Sequence, residues 1–123
     1  MKLDHVNVRT ARLAEMRAWY ADVLGLNEGW RPDFAFPGAW LYAGEDAVVH
    51  LIGVDAAPGA DQADLRLEHF ALFAGGPAEL DAFRARMKSK GIPIREGHPP
   101  GAGITQVNIH DPDGNHIHVD FRT

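Results

Sequence analysis

Four of the seven histidines recur at similar intervals along the chain. His50 follows His5 by 45 residues, and His118 follows His69 by 49 residues. Neutral imidazole is a common ligand of divalent transition metals, and rigid elements are needed to hold several rings around one ion. The repeated spacing therefore favours a metal centre. Taken alone, each histidine is more simply explained as a half-buried strand residue whose ring nitrogens bond to neighbouring groups.

The closing segment DPDGNHIHVDF combines a tight-turn signal with a strand that carries polar side chains on one face. Side chains alternate along a strand, so His116, His118 and Asp120 share a face while the intervening apolar residues lie on the other. One face can therefore belong to the core while the other lines a cavity. On the polar face, His116 and Asp120 are candidate catalytic groups, either as general bases or as residues that orient a metal ligand.

The first half of the chain predicts the elements that position two of these histidines. A strand, a helix and three further strands are expected over residues 3–9, 11–24, 26–31, 39–44 and 47–54. Apolar residues recur at helical spacing from Leu13 to Leu24, with Thr10 as a candidate cap and Gly25 as the residue that ends the helix. His5 and His50 fall in the first and last strands.

The second half repeats this order. Strands are expected over residues 65–74, 92–97, 104–110 and 115–121, with a helix between Gly76 and Gly91, so that His69 and His118 again fall in the first and last strands. Residues 55–64 are small and polar and are predicted to link the halves. The pattern predicts an α+β fold of two βαβββ modules, about 1–54 and 65–123, within one domain over 1–123.

Composition restricts the function. The chain of 123 residues has no cysteine, which excludes disulfides, thiolate zinc sites and cysteine nucleophiles. A formal net charge of -5 without a cluster of Lys and Arg argues against a nucleic-acid partner. No apolar run approaches the length of a membrane span, and the N-terminus lacks the apolar core of a signal peptide, so we expect a cytoplasmic protein without a membrane partner.

Four segments carry a resemblance to a known family: LDHVNVRTARLAEMRAWYADVLGL, VVHLIGV, LEHFALF and QVNIHDPDGNHIHVDF. Spread from Leu3 to Phe121, they resemble the vicinal oxygen chelate superfamily over nearly the whole length of the chain. This superfamily includes glyoxalase I, fosfomycin-resistance enzymes, extradiol dioxygenases and bleomycin-resistance proteins. The resemblance implies that the two modules form a cupped mixed sheet around a divalent metal ion. It also implies a homodimer, since members often pair.

The same resemblance implies that His5, His69 and His118 are metal ligands and matches His50 to a fourth ligand position used in glyoxalase I. The chain departs from the family pattern at two of these positions. The last strand usually carries glutamate in GNxIEL where this chain has GNHIHV, and glyoxalase I usually has a carboxylate where His50 stands. An all-histidine set suits Zn²⁺, Ni²⁺, Cu²⁺ or Fe²⁺ better than Mg²⁺ or Ca²⁺. The expected cofactor is a divalent transition metal, with Fe²⁺, Zn²⁺, Ni²⁺ and Mn²⁺ as candidates.

Two functions follow as expectations. The first is a metal-dependent enzyme whose small-molecule substrate chelates the ion through adjacent oxygens, with extradiol dioxygenase-like or lyase/isomerase chemistry. Because histidines replace both carboxylates, we expect dioxygenase activity or another lyase activity in preference to glyoxalase I activity. The alternative is a non-catalytic protein of the bleomycin-resistance type that sequesters a small molecule or antibiotic, which the net acidity and the aromatic residues between Trp30 and Tyr42 would suit.

Overall fold

A computed structural model of the chain describes residues 1–56 and 65–123. The chain divides into two compact units, Met1–Asp61 and Gln62–Thr123. Most of the predicted link over residues 55–64 lies outside the described residues. Neither helix in the described part of the chain is long and apolar enough to span a bilayer.

The first unit is one helix with a sheet of four strands. Its elements are β1 (Val6–Thr10), α1 (Leu13–Leu24), β2 (Asn27–Glu28), β3 (Gly38–Ala43) and β4 (Asp46–Gly53). The strand order is β1-β4-β3-β2, with β1 parallel to β4 and the other neighbours antiparallel.

The second unit repeats this topology. Its elements are β5 (His69–Gly75), α2 (Pro77–Lys90), β6 (Arg95–Gly97), β7 (Ile104–His110) and β8 (His116–Arg122). The strand order is β5-β8-β7-β6, with β5 parallel to β8 and the other neighbours antiparallel. The prediction of two βαβββ modules, each with a mixed sheet, is therefore confirmed.

Both helices form where the apolar spacing predicts them. Helix α1 buries Met16, Tyr20 and Val23, and α2 buries Leu80, Phe83 and Met87. Each helix ends at a glycine in the left-handed conformation, with φ of 70° at Gly25 and 66° at Gly91, a geometry that other residues adopt at a cost. The predicted ends of both helices are therefore confirmed.

The role predicted for Thr10 is wrong in detail. Thr10 is buried and is the last residue of β1, and Arg12 is the residue that precedes the helix. The Thr10 hydroxyl accepts a hydrogen bond from the backbone N–H of Arg12 at 3.0 Å. It therefore stabilises the strand-to-helix turn and leaves the first turn of α1 without a side-chain cap.

Four strands are shorter than predicted. Strand β1 begins at Val6, so His5 lies one residue before it, and β5 begins at His69, opposite the first residue of β8. Strand β2 ends at Glu28. Two residues later, the Trp30 carbonyl accepts a hydrogen bond from the side-chain hydroxyl of Tyr42 at 2.6 Å. The stretch predicted to begin β6 belongs to the helix end, since the Ile92 N–H donates to the Met87 carbonyl.

Each sheet has an apolar face and a polar face. Helix α1 contacts β3 and β4, and α2 contacts β5 and β8. Apolar strand residues form the buried side: Ala39, Leu41, Val49 and Leu51 in the first unit, and Val107, Ile109, Ile117, Val119 and Phe121 in the second. The alternate positions carry the histidines, so burial of the apolar face against the helix fixes which side of the sheet the imidazoles occupy.

Candidate metal centre

The histidines occupy equivalent positions in the two units. On β4, His50 pairs with Asn7, two residues beyond His5. On β8, His118 pairs with Ala71, two residues beyond His69. In each unit the two rings stack: the centroids of His5 and His50 are 3.8 Å apart with planes 12° apart, and those of His69 and His118 are 4.1 Å apart with planes 14° apart. The structure thus brings the four predicted histidines together as two pairs, one within each unit.

A carboxylate orients the first histidine of each pair. Asp4 accepts a hydrogen bond from Nδ1 of His5 at 2.7 Å, and Glu68 accepts one from Nδ1 of His69. Because a carboxylate oxygen only accepts, Nδ1 carries the hydrogen, and in the neutral form of the ring the lone pair is on Nε2. This carboxylate–histidine arrangement is the one that orients imidazole ligands in metal proteins. The sequence analysis missed both carboxylates, although an acidic residue directly before each first histidine was a readable signal.

The second unit holds the densest group of candidate ligands. His69, His116 and His118 each offer one ring nitrogen, and these three atoms lie within 4.8 Å of one another. Hydrogen bonds from His69 and His116 lower the pKa of Glu68 to about 2, so this neighbouring carboxylate is ionised at neutral pH.

His118 has a buried polar atom that a ligand could satisfy. The residue is 8% exposed, and its Nδ1 atom has no hydrogen-bond partner among the described residues. Burial lowers the pKa of His118, and the neighbouring His69 and His116 lower it further. The ring is therefore held neutral, the form that binds metals. A buried, unpaired ring nitrogen costs stability unless a ligand satisfies it, so these residues fit a metal ion.

The two candidate catalytic groups differ in their partners. His116 donates from Nδ1 to Glu68 at 2.7 Å, and its Nε2 lies 2.9 Å from the side-chain oxygen of Asn108, so both of its nitrogens contact the protein. Within residues 1–56 and 65–123, the buried Oδ1 atom of Asp120 has no hydrogen-bond partner, and burial raises the pKa of this residue. As strand parity predicts, the rings of His116 and His118 lie on one face, with centroids 4.8 Å apart.

His50 lies between two rings in the first unit. Its imidazole stacks on His5 on one side and on Trp40 on the other, with a centroid distance of 4.1 Å to Trp40. Its Nε2 donates to the Ala47 carbonyl at 3.1 Å, which leaves Nδ1 with the lone pair. Burial lowers the pKa of His50, with a further contribution from His5. This ring is also neutral and oriented.

A cleft of about 480 Å³ opens beside these rings in the first unit. Its lining includes His5, His50, Trp40 and Tyr42, and also the carboxylates of Asp4, Glu45 and Asp46. Next to it, Trp30 packs edge-on against Trp40, and Phe34 and Phe36 stack on each other with centroids 5.0 Å apart. The volume and the aromatic lining are typical of a small-molecule site.

The two remaining histidines, His98 and His110, each contact another described residue. His98 lies within hydrogen-bond distance of the Thr105 hydroxyl, at 3.2 Å from Nδ1. His110 is exposed, and its ring stacks on His116 with centroids 5.1 Å apart.

Comparison with known proteins decides the family. The sequence model of one protein family, the Glyoxalase/Bleomycin resistance protein/Dioxygenase superfamily, matches residues 2–119. The chain belongs to this superfamily. The resemblance found in the sequence motifs is thereby confirmed.

One curated relative is the manganese-dependent 2,3-dihydroxybiphenyl 1,2-dioxygenase of Geobacillus genomosp. 3, which is 30% identical over 121 residues. The match covers 94% of this chain and 37% of that relative, so the chain spans little more than a third of the relative's length.

Solved structures of superfamily members share the fold. A glyoxylase/bleomycin resistance protein/dioxygenase domain from Frankia sp. EAN1pec aligns with a TM-score of 0.81 at 16% identity, over 100% of this chain and 93% of that one. Lactoylglutathione lyase from Agrobacterium tumefaciens aligns with a TM-score of 0.71 at 22% identity, over 95% and 90% of the two chains.

Proposed function

We propose that this protein is a metal-dependent enzyme whose small-molecule substrate binds through two adjacent oxygens. The observation that carries the proposal is the buried Nδ1 of His118, which has no hydrogen-bond partner in the described part of the chain and belongs to a ring stacked on His69. The proposed metal ligands in the second unit are His69 and His118. In the first unit, His5 is a proposed ligand and His50 is a candidate. A bound divalent ion would act as a Lewis acid toward the substrate oxygens.

The remaining chemistry falls to the chain's own residues. Asp4 and Glu68 hold the Nδ1 hydrogens of His5 and His69, which keeps each Nε2 directed away from its carboxylate. Asp120 is proposed as the proton acceptor. It lies on the same strand face as His118, and its buried Oδ1 has no partner among the residues that the structure describes. Its raised pKa lets it hold a proton more readily than an exposed aspartate does.

Extradiol dioxygenase-like ring cleavage is the reaction that we favour. The 30% identical relative is a manganese-dependent dioxygenase named for an aromatic diol. The aromatic surface of Trp30, Trp40 and Phe34 next to the histidine pair of the first unit suits a planar ring. Lyase or isomerase chemistry is less favoured, because histidine at positions 50 and 118 replaces carboxylates that could move a proton in glyoxalase I-like enzymes.

Oxygen consumption tests this proposal. Protein loaded with Fe²⁺ or Mn²⁺ is mixed with catechol or 2,3-dihydroxybiphenyl, and oxygen uptake is followed together with the absorbance of the ring-cleaved product. We expect turnover that falls at least about a hundredfold in His69→Ala and His118→Leu, since each removes a ligand. His98→Ala is the matched control and should keep native turnover. Full turnover by metal-free protein would contradict the proposal.

The second candidate function is sequestration of a cationic aromatic compound, and the cleft in the first unit favours it. The cleft combines two aromatic side chains with the carboxylates of Asp4, Glu45 and Asp46, a lining that attracts a cation and stacks a ring. Calorimetry in the presence of a chelator separates the two functions. Sequestration requires stoichiometric binding without metal and recovery of the compound unchanged, whereas the enzyme requires the metal and releases a product.

We also propose that the protein is a cytoplasmic homodimer that binds neither nucleic acid nor membrane. Leu3, Leu67 and Phe73 are 77%, 67% and 61% exposed, and they lie on or just before the edge strands β1 and β5. Exposed apolar side chains at a sheet edge favour contact with a second chain. Analytical ultracentrifugation should give twice the chain mass, and a monomer at micromolar concentration would contradict the proposed dimer.

A further inference from the structure

The Glu68 carboxylate joins two histidines of the second unit. One of its oxygens, Oε2, accepts a hydrogen bond from Nδ1 of His69, and the other, Oε1, accepts one from Nδ1 of His116 at 2.7 Å. The His116 side chain is 10% exposed, whereas those of His69 and Glu68 are 40% and 49% exposed. The buried ring thus holds a carboxylate that would otherwise sample several rotamers in solvent.

The other side of His116 is anchored to the sheet. Its Nε2 lies 2.9 Å from the side-chain oxygen of Asn108. The Asn108 amide group donates to the Arg95 carbonyl at 2.9 Å, which fixes which end of the amide faces His116. A continuous series of hydrogen bonds therefore runs from the backbone of β6, through Asn108, His116 and Glu68, to the ring of His69.

We propose that His116 is a positioning residue: with Asn108 it holds Glu68 so that His69 keeps its hydrogen on Nδ1 and offers Nε2 to a metal ion. This inference rests on the proposed metal site. Both nitrogens of His116 lie within hydrogen-bond distance of protein oxygens, Glu68 Oε1 and Asn108 Oδ1. We therefore assign the ring to the support of a ligand.

The first unit has valine at the position equivalent to His116. Val48 lies two residues before His50, as His116 lies two residues before His118. The Asp4 side chain that bonds His5 is 85% exposed, compared with 49% for Glu68. The apolar residue at position 48 shows that valine is compatible with this strand position, so His116→Val is a conservative test of the support.

The test measures Co²⁺ affinity by chelator competition in the full-length protein. Second-shell partners typically contribute about 10- to 100-fold to metal affinity, and we expect a loss in that range for His116→Val and for Glu68→Gln. His110→Val is the matched control, because His110 is an exposed histidine whose ring stacks on His116, and it should bind Co²⁺ within about twofold of native. X-ray absorption should count the same number of nitrogen ligands in native protein and His116→Val.

Two results would overturn the inference. Native Co²⁺ affinity in His116→Val would show that the support is not needed, and a lower nitrogen count in that variant would make His116 a ligand. Thermal unfolding of each variant confirms that it is folded, and Glu68→Gln, at a half-exposed position, provides a second test.

Failure of the proposed metal site can be told apart from failure of this inference. If native protein binds no Co²⁺, the proposed function fails, and the hydrogen-bond series is then tested without metal by long-range ¹H–¹⁵N NMR at pH 8. His69 should be the Nδ1–H tautomer in native protein and a mixture of tautomers in His116→Val and Glu68→Gln. The same tautomer population in all three proteins would refute the positioning role.

Discussion

Replacing His118 with leucine should stabilise the metal-free protein while removing its response to metal. The described residues give the buried Nδ1 of His118 no hydrogen-bond partner, and an unpaired buried atom of this kind costs about 1–3 kcal/mol. Leucine removes that atom but also loses the ring stacked on His69, an interaction of about 0.5–1.5 kcal/mol. The expected net effect is a gain of about 1 kcal/mol in the free energy of unfolding in EDTA.

Added metal should reverse the order of stability of native protein and His118→Leu. A ligand that binds only the folded state stabilises it by about 2.7 kcal/mol at one hundred times its dissociation constant. Native protein should gain this amount when Zn²⁺ or Mn²⁺ is added, whereas His118→Leu should gain nothing. Native protein is then the more stable of the two by about 1.7 kcal/mol with metal and the less stable by about 1 kcal/mol without it.

Urea unfolding followed by circular dichroism measures both differences. His69→Leu is the matched control, because the His69 side chain is 40% exposed and its Nδ1 is already bonded to Glu68. This variant should lose the response to metal without the gain in EDTA. The reasoning is refuted if His118→Leu is at least about 1 kcal/mol less stable than native protein in EDTA, or if metal stabilises it as much as native.

Three further predictions concern the aromatic surface, the acid response and the sheet. Trp30→Ala should weaken binding of an aromatic ligand by about tenfold in calorimetry with little change in stability, because Trp30 is 72% exposed. Hydrogen bonds from Arg84 lower the pKa of Glu96 in the folded protein. The stability of native protein should therefore fall as pH drops below 4.5, the pKa of Glu96 in the unfolded chain, toward its lower pKa in the folded protein. Glu96→Gln should reduce this fall in acid unfolding monitored by circular dichroism. Gly38→Ala should cost about 1–3 kcal/mol in urea unfolding, because its Cβ would lie 2.5 Å from the Leu51 carbonyl oxygen.

Matched controls accompany these predictions. Trp30→Phe keeps an aromatic ring and should retain most of the ligand affinity, and equal losses in both Trp30 variants would argue against stacking. Asp81→Asn alters the other, 76% exposed, partner of Arg84 and should leave most of the acid response in place. Gly97→Ala adds a Cβ that meets nothing closer than 3.7 Å, so a loss equal to that of Gly38→Ala would contradict the steric explanation.

The helices were predictable because their signals are local. Apolar spacing and a terminal glycine place α1 over Leu13–Leu24 and α2 over Pro77–Lys90, both within two residues of the prediction. Strand ends depend on partners elsewhere in the chain, which is why β2 and β6 are shorter than their sequences suggest. The end of β2 depends on the Tyr42 hydroxyl, and the start of β6 on the Met87 carbonyl, and neither is visible in the local pattern.

The candidate site shows the same division. Strand alternation and the repeat spacing predicted which histidines share a face, and the pairing register places His50 and His118 equivalently. The partners of those histidines were harder to predict. Asn108 reaches His116 only because β7 and β8 pair, a contact between residues eight positions apart. The sequence predicts that His116 faces the site, but its role depends on two hydrogen bonds that only the folded sheet brings together.

The metal content of freshly purified protein tests the central claim most directly. Inductively coupled plasma mass spectrometry of native protein, His69→Ala and His118→Leu should find about one divalent transition metal per chain in native protein and far less in either variant. Retention of the full metal content by both variants would place the ion elsewhere. No bound metal in native protein, even after reconstitution with Fe²⁺, Zn²⁺, Ni²⁺ and Mn²⁺, would contradict the metalloenzyme account and favour metal-free sequestration.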